Sequence, residues 1–250
     1  MPRLSLIVIA KNEEASIERC LSSAAVIADE IVLVDSASTD RTVEIAKRFQ
    51  AKILQPGDWP GFGPQKQRAQ AAATGEWILS LDADEWIEEG LVQEIREVLS
   101  DRSPASGYRI PRRNRFIGKV VKHGGWWPDY VLRLYRNESG RFNDNLVHES
   151  VVIAGEVHTL RNPIEHNTIV SDADADEKAE RYATVAAREL LARGRSCSDL
   201  EARMRGAAAY LRSFILQLGA LDGITGLRVA RYQARYTYRK WAKVAAGNPR

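Results

Sequence analysis

The sequence predicts an α/β fold built on a mostly parallel sheet with helices on both faces. Short, β-branched apolar segments recur at residues 4–10, 30–35, 51–54 and 76–81, and helix-length amphipathic segments separate them. Strands that are buried on both faces of a parallel sheet are apolar throughout, and each parallel pair needs a crossover of about a dozen residues or more. Such crossovers are right-handed and cover the sheet with helices.

Local signals then predict each element of the first hundred residues in turn. The predicted helices lie at 14–25, 38–49, 64–75 and 88–99, alternating with the four strands. Ser38, Thr39 and Asp40 offer capping side chains to the second helix. Pro64 suits the first position of the third helix, and Gly75 suits its end. A loop rich in glycine and proline, "QPGDWPGFG", precedes Pro64.

The pattern changes after the fourth helix. The segments "GYRIPRR", "YVLRLYR" and "ESVVIAG" alternate polar and apolar residues, which predicts an antiparallel extension of the sheet. From Asp172 to about Ala246 the spacing is helical, with a break at Gly194. We therefore expect an α/β domain over residues 1–170 and a helical extension over 171–250.

Composition excludes several classes of protein. With 250 residues, 44% hydrophobic and 28% charged, the chain is ordinary for a globular protein, and a net charge of +3 is too even to indicate nucleic acid. Cys20 and Cys197 have no metal-type spacing, so both are expected to be free thiols in a reducing compartment. The N-terminal stretch lacks the features of a signal peptide, and no apolar run approaches a membrane span. We expect a cytoplasmic protein.

The fourth strand ends on clustered acids in "GEWILSLDADEW", residues 75–86. Like charges resist burial together unless a cation or protonation compensates them. If the strand continues through the D-x-D, Asp82 and Asp84 face the same way about 7 Å apart, so one can reach a ribose while the other binds a divalent ion. In the alternative, Asp84 and Glu85 only favour the N-terminus of the following helix. No G-x-G-x-x-G or P-loop motif is present, which argues against dinucleotide dehydrogenases and P-loop enzymes.

The segments "IVIAKNEE", "EIVLVDSASTDRTVEIA" and "GEWILSLDADEW", in this order and spacing, resemble family 2 glycosyltransferases, which have the nucleotide-sugar-binding GT-A fold. The resemblance covers roughly residues 4–150. Three further segments, "WPGFGPQKQRA", "RRNRFIGKVVKHGGWWPDYVLRLYR" and "FNDNLVHE", are similar to the lipopolysaccharide core β-1,4-glucosyltransferase branch. The resemblance implies an inverting enzyme that moves a hexose, glucose from UDP-glucose, onto a sugar of the lipopolysaccharide inner core.

The resemblance also implies the residues that bind the donor. Asp35 matches the aspartate that contacts the uridine part, and Glu13 faces the same crevice. Asp82 and Asp84 match the family's D-x-D. The match implies that Asp82 contacts the ribose and that Asp84, together with Asp82, binds Mg²⁺ or Mn²⁺. Two basic residues of the third helix, Lys66 and Arg68, are candidates for the diphosphate, with a solvated helix face as the alternative.

The catalytic base is expected in "FNDNLVHES". On the family match, Glu149 removes the proton from the acceptor hydroxyl. Where the family usually has a Glu-Asp pair, this chain has His148-Glu149, so Asp129 and Asp144 remain rival bases. His148 is a candidate metal ligand, with a purely structural histidine as the alternative.

The acceptor is expected near "HGGWWPDY". Aromatic faces suit the C–H surfaces of sugars, so Trp126 and Trp127, with the basic residues Arg112 and Arg113, predict a site for a phosphorylated saccharide. Core packing beneath a loop is the alternative. Adjacent residues of a strand point to opposite faces, so at least one tryptophan is expected to be exposed or to line a cleft.

Every charged residue from Arg228 to the C-terminus is basic, and Tyr232, Tyr236, Tyr238 and Trp241 are interleaved. This pattern predicts peripheral contact with the anionic inner leaflet, where a lipid-linked saccharide acceptor would meet the UDP-sugar donor. A plain solvated face is the alternative, and no nucleic-acid-binding motif accompanies the charges. The rival functions are transfer to another envelope glycan or to a peptide, and a non-catalytic module that binds sugar nucleotides.

Overall fold

A computed structural model describes residues 3–101, 105–143 and 150–247. The chain forms two compact units. The sheet unit comprises Met1–Arg112 and Asp129–His166, and the helical unit comprises Arg113–Pro128 and Asn167–Arg250. The expected boundary at residue 170 differs from this division, because residues 113–128 group with the helices.

The strands are β1 (Leu4–Ala10), β2 (Glu30–Asp35), β3 (Lys52–Leu54), β4 (Trp77–Asp82), β5 (Glu85–Ile87), β6 (Gly107–Phe116), β7 (Lys119–Val120), β8 (Asp129–Arg136), β9 (Gly140–Phe142), β10 (Val151–Ile153), β11 (Val157–Thr159) and β12 (Ile164–Ile169). The helices are α1 (Ile17–Ala25), α2 (Thr42–Arg48), α3 (Phe62–Ala72), α4 (Glu89–Ser100), α5 (Asp172–Ala192), α6 (Asp199–Leu211) and α7 (Gly223–Ala245). The four predicted parallel strands and the helices after each of them are confirmed. The short strands β5 and β12 had no clear signal in the sequence.

The main sheet has the strand order β3-β2-β1-β4-β8-β6-β12-β5. β1 pairs in parallel with both β2 and β4, and β8 pairs antiparallel with β4 and with β6. Both faces are apolar and covered, as predicted: one packs against α1, α2 and α4, and the other packs against α3. The carboxyl ends of β2, β1 and β4 therefore lie side by side at one edge of a rigid core.

In the helical unit, α7 packs against both α5 and α6. Val229, Ala230 and Val244 of α7 are buried. A π-helical turn at Arg212–Leu216 and a 3-10 turn at Gly219–Asp222 connect α6 to α7. Among the described residues, no helix combines the length and apolarity that crossing a bilayer requires.

Candidate functional site

Asp35 and Asp82 flank the end of β1. Ala10 of β1 is in register with Asp35, and Ile9 is in register with Asp82. Neighbouring strands are about 4.8 Å apart, so the two acids end strands that lie roughly 10 Å apart. In α/β sheets ligands bind beyond this edge, which makes these positions the starting point of the site.

Asp35 is fully buried and only partly satisfied. Its Oδ2 accepts hydrogen bonds from the Ser38 backbone N–H (3.1 Å) and from Gln55 Nε2 (3.0 Å). Its Oδ1 is also buried and has no hydrogen-bond partner among the described residues. A buried carboxylate oxygen without a donor is costly, so this oxygen is a ready acceptor for an N–H or O–H group of a ligand.

The loops that follow β1 and β2 are joined to each other. Asn12 Oδ1 accepts the Thr39 N–H (2.8 Å), and Ser38 Oγ accepts the Asn12 N–H (2.8 Å). Glu13 lies in the first of these loops, where its backbone N–H donates to Thr42 Oγ1 (2.7 Å). Its position is therefore set by contacts with both α2 and the β2 loop.

The D-x-D is not strand-like through its length, so that prediction was wrong. β4 ends at Asp82, Ala83 and Asp84 form a turn, and the chain returns as β5. The turn is closed by the Asp82 backbone N–H, which donates to Glu85 Oε2 (2.9 Å). As a result Asp82 and Asp84 enter different environments.

Asp82 is compensated by cations of the chain itself. Lys66 Nζ lies 2.7 Å from Asp82 Oδ1, and Arg133 pairs with Asp82 Oδ2. Burial raises the pKa of Asp82, but the charges of Arg133 and Lys66 outweigh it and hold the pKa well below its usual range. The carboxylate is thus ionised without any added ion.

The same compensation extends to the neighbouring acid. Glu85 is fully buried, and its Oε1 lies 3.1 Å from Arg133 and 3.2 Å from Arg112. Arg112 also pairs with Asp129 at 2.8 Å. Burial lowers the pKa of Arg112, but Glu85 and then Asp129 outweigh it, so the pKa is raised. We call these six paired side chains the buried charge network: Lys66, Asp82, Glu85, Arg112, Asp129 and Arg133.

The two candidate diphosphate partners are both engaged. The Lys66 side chain is only 2% exposed and lies against Asp82. Arg68 donates to both carboxylate oxygens of Asp58 (2.9 Å each) and to Gln65 Oε1 (2.9 Å). The hydrogen bonds with Asp58 raise the pKa of Arg68. A diphosphate would therefore meet a buried lysine and an arginine that is partly exposed and already bound to Asp58.

Asp84 has a different partner from Asp82. Its Oδ2 lies 3.3 Å from His166 Nε2, and both side chains remain partly exposed. β12 brings the histidine there, because its His166 is in register with Glu85 of β5. Within the described residues, no group of three or more His, Cys, Asp and Glu side chains could hold a metal ion. A metal at this place would have two protein ligands from the described residues.

The pair fits such an ion. Two ligand atoms that bind one octahedral ion at right angles, each at about 2.1 Å, lie about 3 Å apart. The carboxylate suits Mg²⁺ or Mn²⁺, and the imidazole favours the transition metal. Mg²⁺-type sites with few protein ligands are completed by water and by phosphate oxygens of the substrate.

Cys20 lies beneath this turn. Its Sγ is 3.5 Å from the Asp82 carbonyl oxygen, and burial, followed by the charge of Glu85, raises the pKa of the thiol well above its usual value. Cys20 and Cys197 are both free, as expected. A thiol with a raised pKa is unreactive, so Cys20 belongs to the core of the sheet unit.

Of the residues expected to bind the acceptor saccharide, some are packed against neighbours and others are exposed. Trp126 packs edge-on against Phe116 (6.0 Å between centroids) and Tyr232 (6.1 Å) in the helical unit. Trp127 is 38% exposed. The aromatic pair therefore has one packed and one available ring. Arg112 belongs to the buried charge network of the sheet unit, whereas Arg113 is a half-buried residue of the helical unit.

Three candidate residues, Asp144, His148 and Glu149, lie outside the described residues. The described residues on either side of that segment, Asn143 and Ser150, hydrogen bond to each other. The rival base Asp129 is described, and it pairs with Arg112.

Two residues of the site escaped the sequence analysis. Arg133 stands in "VLRLY" on the same face of β8 as Val131 and the buried Tyr135, and a cation at an inward position signals a buried acid. His166 is one of four histidines in the chain and stands in a short strand, "IEHNTI", which has no motif. Only the pairing of β12 with β5 brings it to Asp84.

The model of the family "Glycosyl transferase family 2" matches residues 5–153. The chain belongs to this family. It is 29% identical to the lipopolysaccharide core biosynthesis glycosyltransferase LpsC of Rhizobium meliloti, over 96% of this chain and 91% of LpsC. It is also 29% identical to an uncharacterized glycosyltransferase of Rickettsia typhi, over 90% of this chain and 81% of the relative.

Among solved structures, S. aureus TarS 1-349 in complex with UDP matches with a TM-score of 0.50 and 19% identity, over 95% of this chain and 89% of that one. This likeness concerns the fold. The chain has the GT-A fold, with a mostly parallel sheet covered by helices and a C-terminal helical region, as the sequence predicted.

Proposed function

We propose that this glycosyltransferase transfers a hexose, glucose from UDP-glucose, with inversion onto a sugar of the lipopolysaccharide inner core. The single observation that carries the proposal is the similarity to LpsC along nearly the whole of both chains. The similarity includes the helical region as well as the sheet unit, which supports a shared class of acceptor and not merely a shared donor fold.

Asp35 is the proposed contact for the uridine part of the donor. Its buried Oδ1 can accept a hydrogen bond from a base N–H or a ribose hydroxyl without displacing any donor already present. Asp82 keeps 29% of its side chain exposed beside Lys66 and Arg133, so it can also accept from a ribose hydroxyl. Glu13 lies in the loop that borders the same edge.

A divalent ion, Mg²⁺ or Mn²⁺, is proposed to bind Asp84, with His166 as the second ligand. When bound, such an ion stabilises negative charge on the departing diphosphate. The backbone N–H of Asp82 closes the turn that presents Asp84, through its hydrogen bond to Glu85, and the Asp82 side chain remains the proposed ribose contact. Lys66 and Arg68 remain candidates for the diphosphate through N–H groups that their present pairs do not use.

Glu149 is the proposed general base. It takes the proton of the acceptor hydroxyl as that oxygen attacks the anomeric carbon, and an α-linked donor then yields a β-linkage. Asp144 is a rival of the same kind. Asp129 is a weaker rival, because its carboxylate is already engaged with Arg112 at 2.8 Å.

A nucleotide-sugar screen tests the donor assignment. The intact chain is heated with UDP-glucose, UDP-galactose, UDP-N-acetylglucosamine or GDP-mannose, with and without Mn²⁺, and the unfolding temperature is recorded. We expect UDP-sugars with Mn²⁺ to raise the unfolding temperature most. Asp35→Asn should lose that rise, because an amide has one oxygen that accepts hydrogen bonds where the carboxylate has two. Glu97→Gln, an exposed acid of α4, is the control.

Two results would contradict the donor assignment: stabilisation by GDP-mannose alone, or an unchanged response in Asp35→Asn. Release of glucose from UDP-glucose without acceptor separates an enzyme from a binding module, because a binder has no reason to place water at the anomeric carbon. Transfer to a purified inner-core lipid, compared with a peptide and another envelope glycan, then tests the acceptor.

The lipid-linked acceptor motivates peripheral contact with the inner leaflet. The basic face of α7 supports that contact only in part. Arg235 pairs with Asp176, and Lys243 lies 2.7 Å from Glu180, so acids of α5 neutralise several of its cations. The helix is also a packed member of the helical unit, which limits how far it can act as a surface anchor.

A further inference from the structure

The connection between α6 and α7 exposes a dense group of apolar side chains. Six residues of this group are at least half exposed, from 51% at Leu211 to 78% at Leu216. We call them the apolar tip: Leu211, Ile215, Leu216, Leu218, Leu221 and Ile224. Single exposed leucines are ordinary, but six exposed aliphatic side chains within fourteen residues are a concentration that indicates a partner.

The backbone beneath the tip is held in place. A Cβ on Gly226 would lie 1.7 Å from the Gly219 carbonyl oxygen, so the start of α7 rests directly on the 3-10 turn. Gly219 is in turn close to Ser213, since a Cβ there would lie 2.6 Å from the Ser213 oxygen. The apolar side chains are therefore presented by an ordered backbone and cannot simply fold inward.

Further hydrogen bonds join the tip to residues 122–124, which follow β7 in the helical unit. The Gly124 N–H donates to the Gln217 carbonyl (2.8 Å). Asp222 accepts the backbone N–H groups of Lys122 and His123 (2.9 Å each). Leu218 has a φ of 58°, a conformation that is strained for leucine and that this scaffold nevertheless maintains.

The charge around the tip is positive. Arg212, within the same stretch of chain, and Arg228, four residues after Ile224, are both exposed. Asp222 is the single acid from residue 202 to residue 250, and its side chain is 8% exposed and bound to the His123 ring at 2.8 Å. The tip therefore offers aliphatic groups with a cationic rim and no accessible carboxylate of its own.

We propose that the apolar tip inserts into the headgroup and acyl boundary of a bilayer that carries anionic lipid. Aliphatic side chains beside arginine are the composition of peripheral segments that bind by partial burial plus attraction to anionic headgroups. A second copy of the chain is a poorer occupant. In a two-fold dimer the same surface meets itself, which would bring the arginines of both copies together.

The apolar tip would hold the enzyme at the membrane that carries the proposed lipid-linked acceptor. Only this use of the tip rests on the proposed function. Binding to vesicles needs neither donor nor acceptor. Vesicle binding and sugar transfer are therefore measured separately. The membrane proposal can be contradicted while the proposed function stands, and the reverse is also possible.

Vesicle co-sedimentation of the full chain tests the surface. The vesicles are phosphatidylcholine alone or with phosphatidylglycerol, and the variant carries Leu216→Ser, Leu221→Ser and Ile224→Ser. We expect binding to the anionic vesicles to fall at least tenfold. The control changes two exposed valines elsewhere, Val26→Ser and Val152→Ser, and should bind like the original chain. Equal binding by the tip variant would overturn the proposal.

Two more variants separate insertion from general damage. Leu218→Asn places a residue that tolerates positive φ, so the unfolding temperature should stay the same or rise while vesicle binding falls. Arg212→Gln with Arg228→Gln should remove the preference for phosphatidylglycerol. The matched change of two exposed arginines in the connection between α5 and α6, Arg193→Gln with Arg195→Gln, should not.

Analytical ultracentrifugation supplies the remaining outcome. We expect a monomer whose mass is unchanged by the triple serine variant. A dimer that the triple variant dissociates, in a chain that does not bind vesicles, would assign the tip to self-association and overturn the membrane proposal.

Discussion

Two regions of this molecule reverse the usual distribution of side chains, and they do so in opposite ways. The carboxyl end of β4 buries charge: Glu85 is fully buried and Lys66 is almost so. The connection between α6 and α7 exposes apolar side chains instead, with Leu216 at 78% and Ile224 at 74%. Each arrangement is unfavourable by itself, because buried charges lose hydration and exposed aliphatic groups order water.

The difference lies in where the compensation comes from. At the end of β4 three cations of the same chain neutralise the buried acids, so the fold itself supplies the compensating charge. At the apolar tip, no cover is present among the described residues of the chain. Buried charges that are paired within the chain indicate a site that must be rigid and preorganised. Apolar side chains that the chain leaves uncovered indicate a surface that binds a partner.

The largest expected effect breaks the internal compensation. Arg133→Met leaves Glu85 with Arg112 and Asp82 with Lys66, and removing one partner of a buried ion pair costs about 3–5 kcal/mol. We expect a loss of that order in the free energy of unfolding, measured by urea denaturation. Arg109→Met changes an exposed arginine of β6 and should alter stability little. Equal stability of the two variants would mean that the network is not the source of the compensation.

The next effect separates the two acids of the D-x-D. Asp84→Asn removes a charge from a partly exposed pair, so the unfolding temperature should change little while transfer falls by roughly a hundredfold or more. Asp82→Asn should lower stability as well, because Lys66 and Arg133 lose their buried counter-charge. Glu89→Gln, an exposed acid at the start of α4, is the control for both.

Stability and transfer rates of these variants are measured on the same preparations, with Mn²⁺ varied. Transfer by Asp84→Asn at the original rate and with the original dependence on Mn²⁺ would contradict the metal role. Equal destabilisation by the two aspartate variants would contradict the separation of a structural acid from a catalytic one.

A third prediction concerns the scaffold of the exposed region. Gly226→Ala puts a methyl group into the contact with Gly219, and overpacking of this kind costs about 1–3 kcal/mol. We expect a lower free energy of unfolding and weaker vesicle binding together. Gly57→Ala has open space around its Cβ and serves as the control. Full vesicle binding by Gly226→Ala would show that the tip does not depend on its backbone.

The smallest effect concerns a carboxylate that is stabilised by hydrogen bonds and has no ion pair with any residue that the structure describes. Glu30, at the start of β2, accepts from Ser5, from the Thr74 hydroxyl (2.9 Å) and from the Gly75 N–H (3.0 Å). Burial raises its pKa, but these hydrogen bonds outweigh burial and lower the pKa. We expect Glu30→Gln to cost about 1 kcal/mol at neutral pH, less than loss of Arg133.

The pH dependence gives the sign of that effect. Because the pKa of Glu30 is lower in the folded chain, its contribution is complete above the ordinary glutamate pKa and is lost as the pH falls through the folded value. The difference in unfolding free energy between the original chain and Glu30→Gln should therefore shrink from pH 6 towards pH 3. A difference that stays constant over this range would contradict the assignment.

The sheet could be predicted because its signal is local. The apolar runs at 4–10 and 30–35 coincide with β1 and β2, and Asp35 and Asp82 are the last residues of β2 and β4, as expected. The family resemblance supplied the donor residues in the same way, since each lies in a contiguous motif. The turn at Ala83 and Asp84 was missed, because a two-residue period in sequence does not reveal where a strand stops.

The partners of the acids could not be predicted either. Asp82 pairs with Lys66 and Arg133, which are 16 and 51 positions away in the chain, and Asp84 meets His166 only because β12 pairs with β5. The exposed apolar tip was equally hidden. Leucines spaced along a helix normally indicate a buried face, and only the packing of α6 and α7 shows which of them remain outside.

The sequence by itself determined the order of the elements, the family and the acids at the edge of the sheet, because strand and helix periodicity and motif spacing are properties of neighbouring residues. Only the tertiary structure decided which cation neutralises which acid, which acid is left with a histidine, and which leucines face outward. Those facts depend on strand pairing and helix packing, which bring distant residues within a few ångströms and fix how much water each of them keeps.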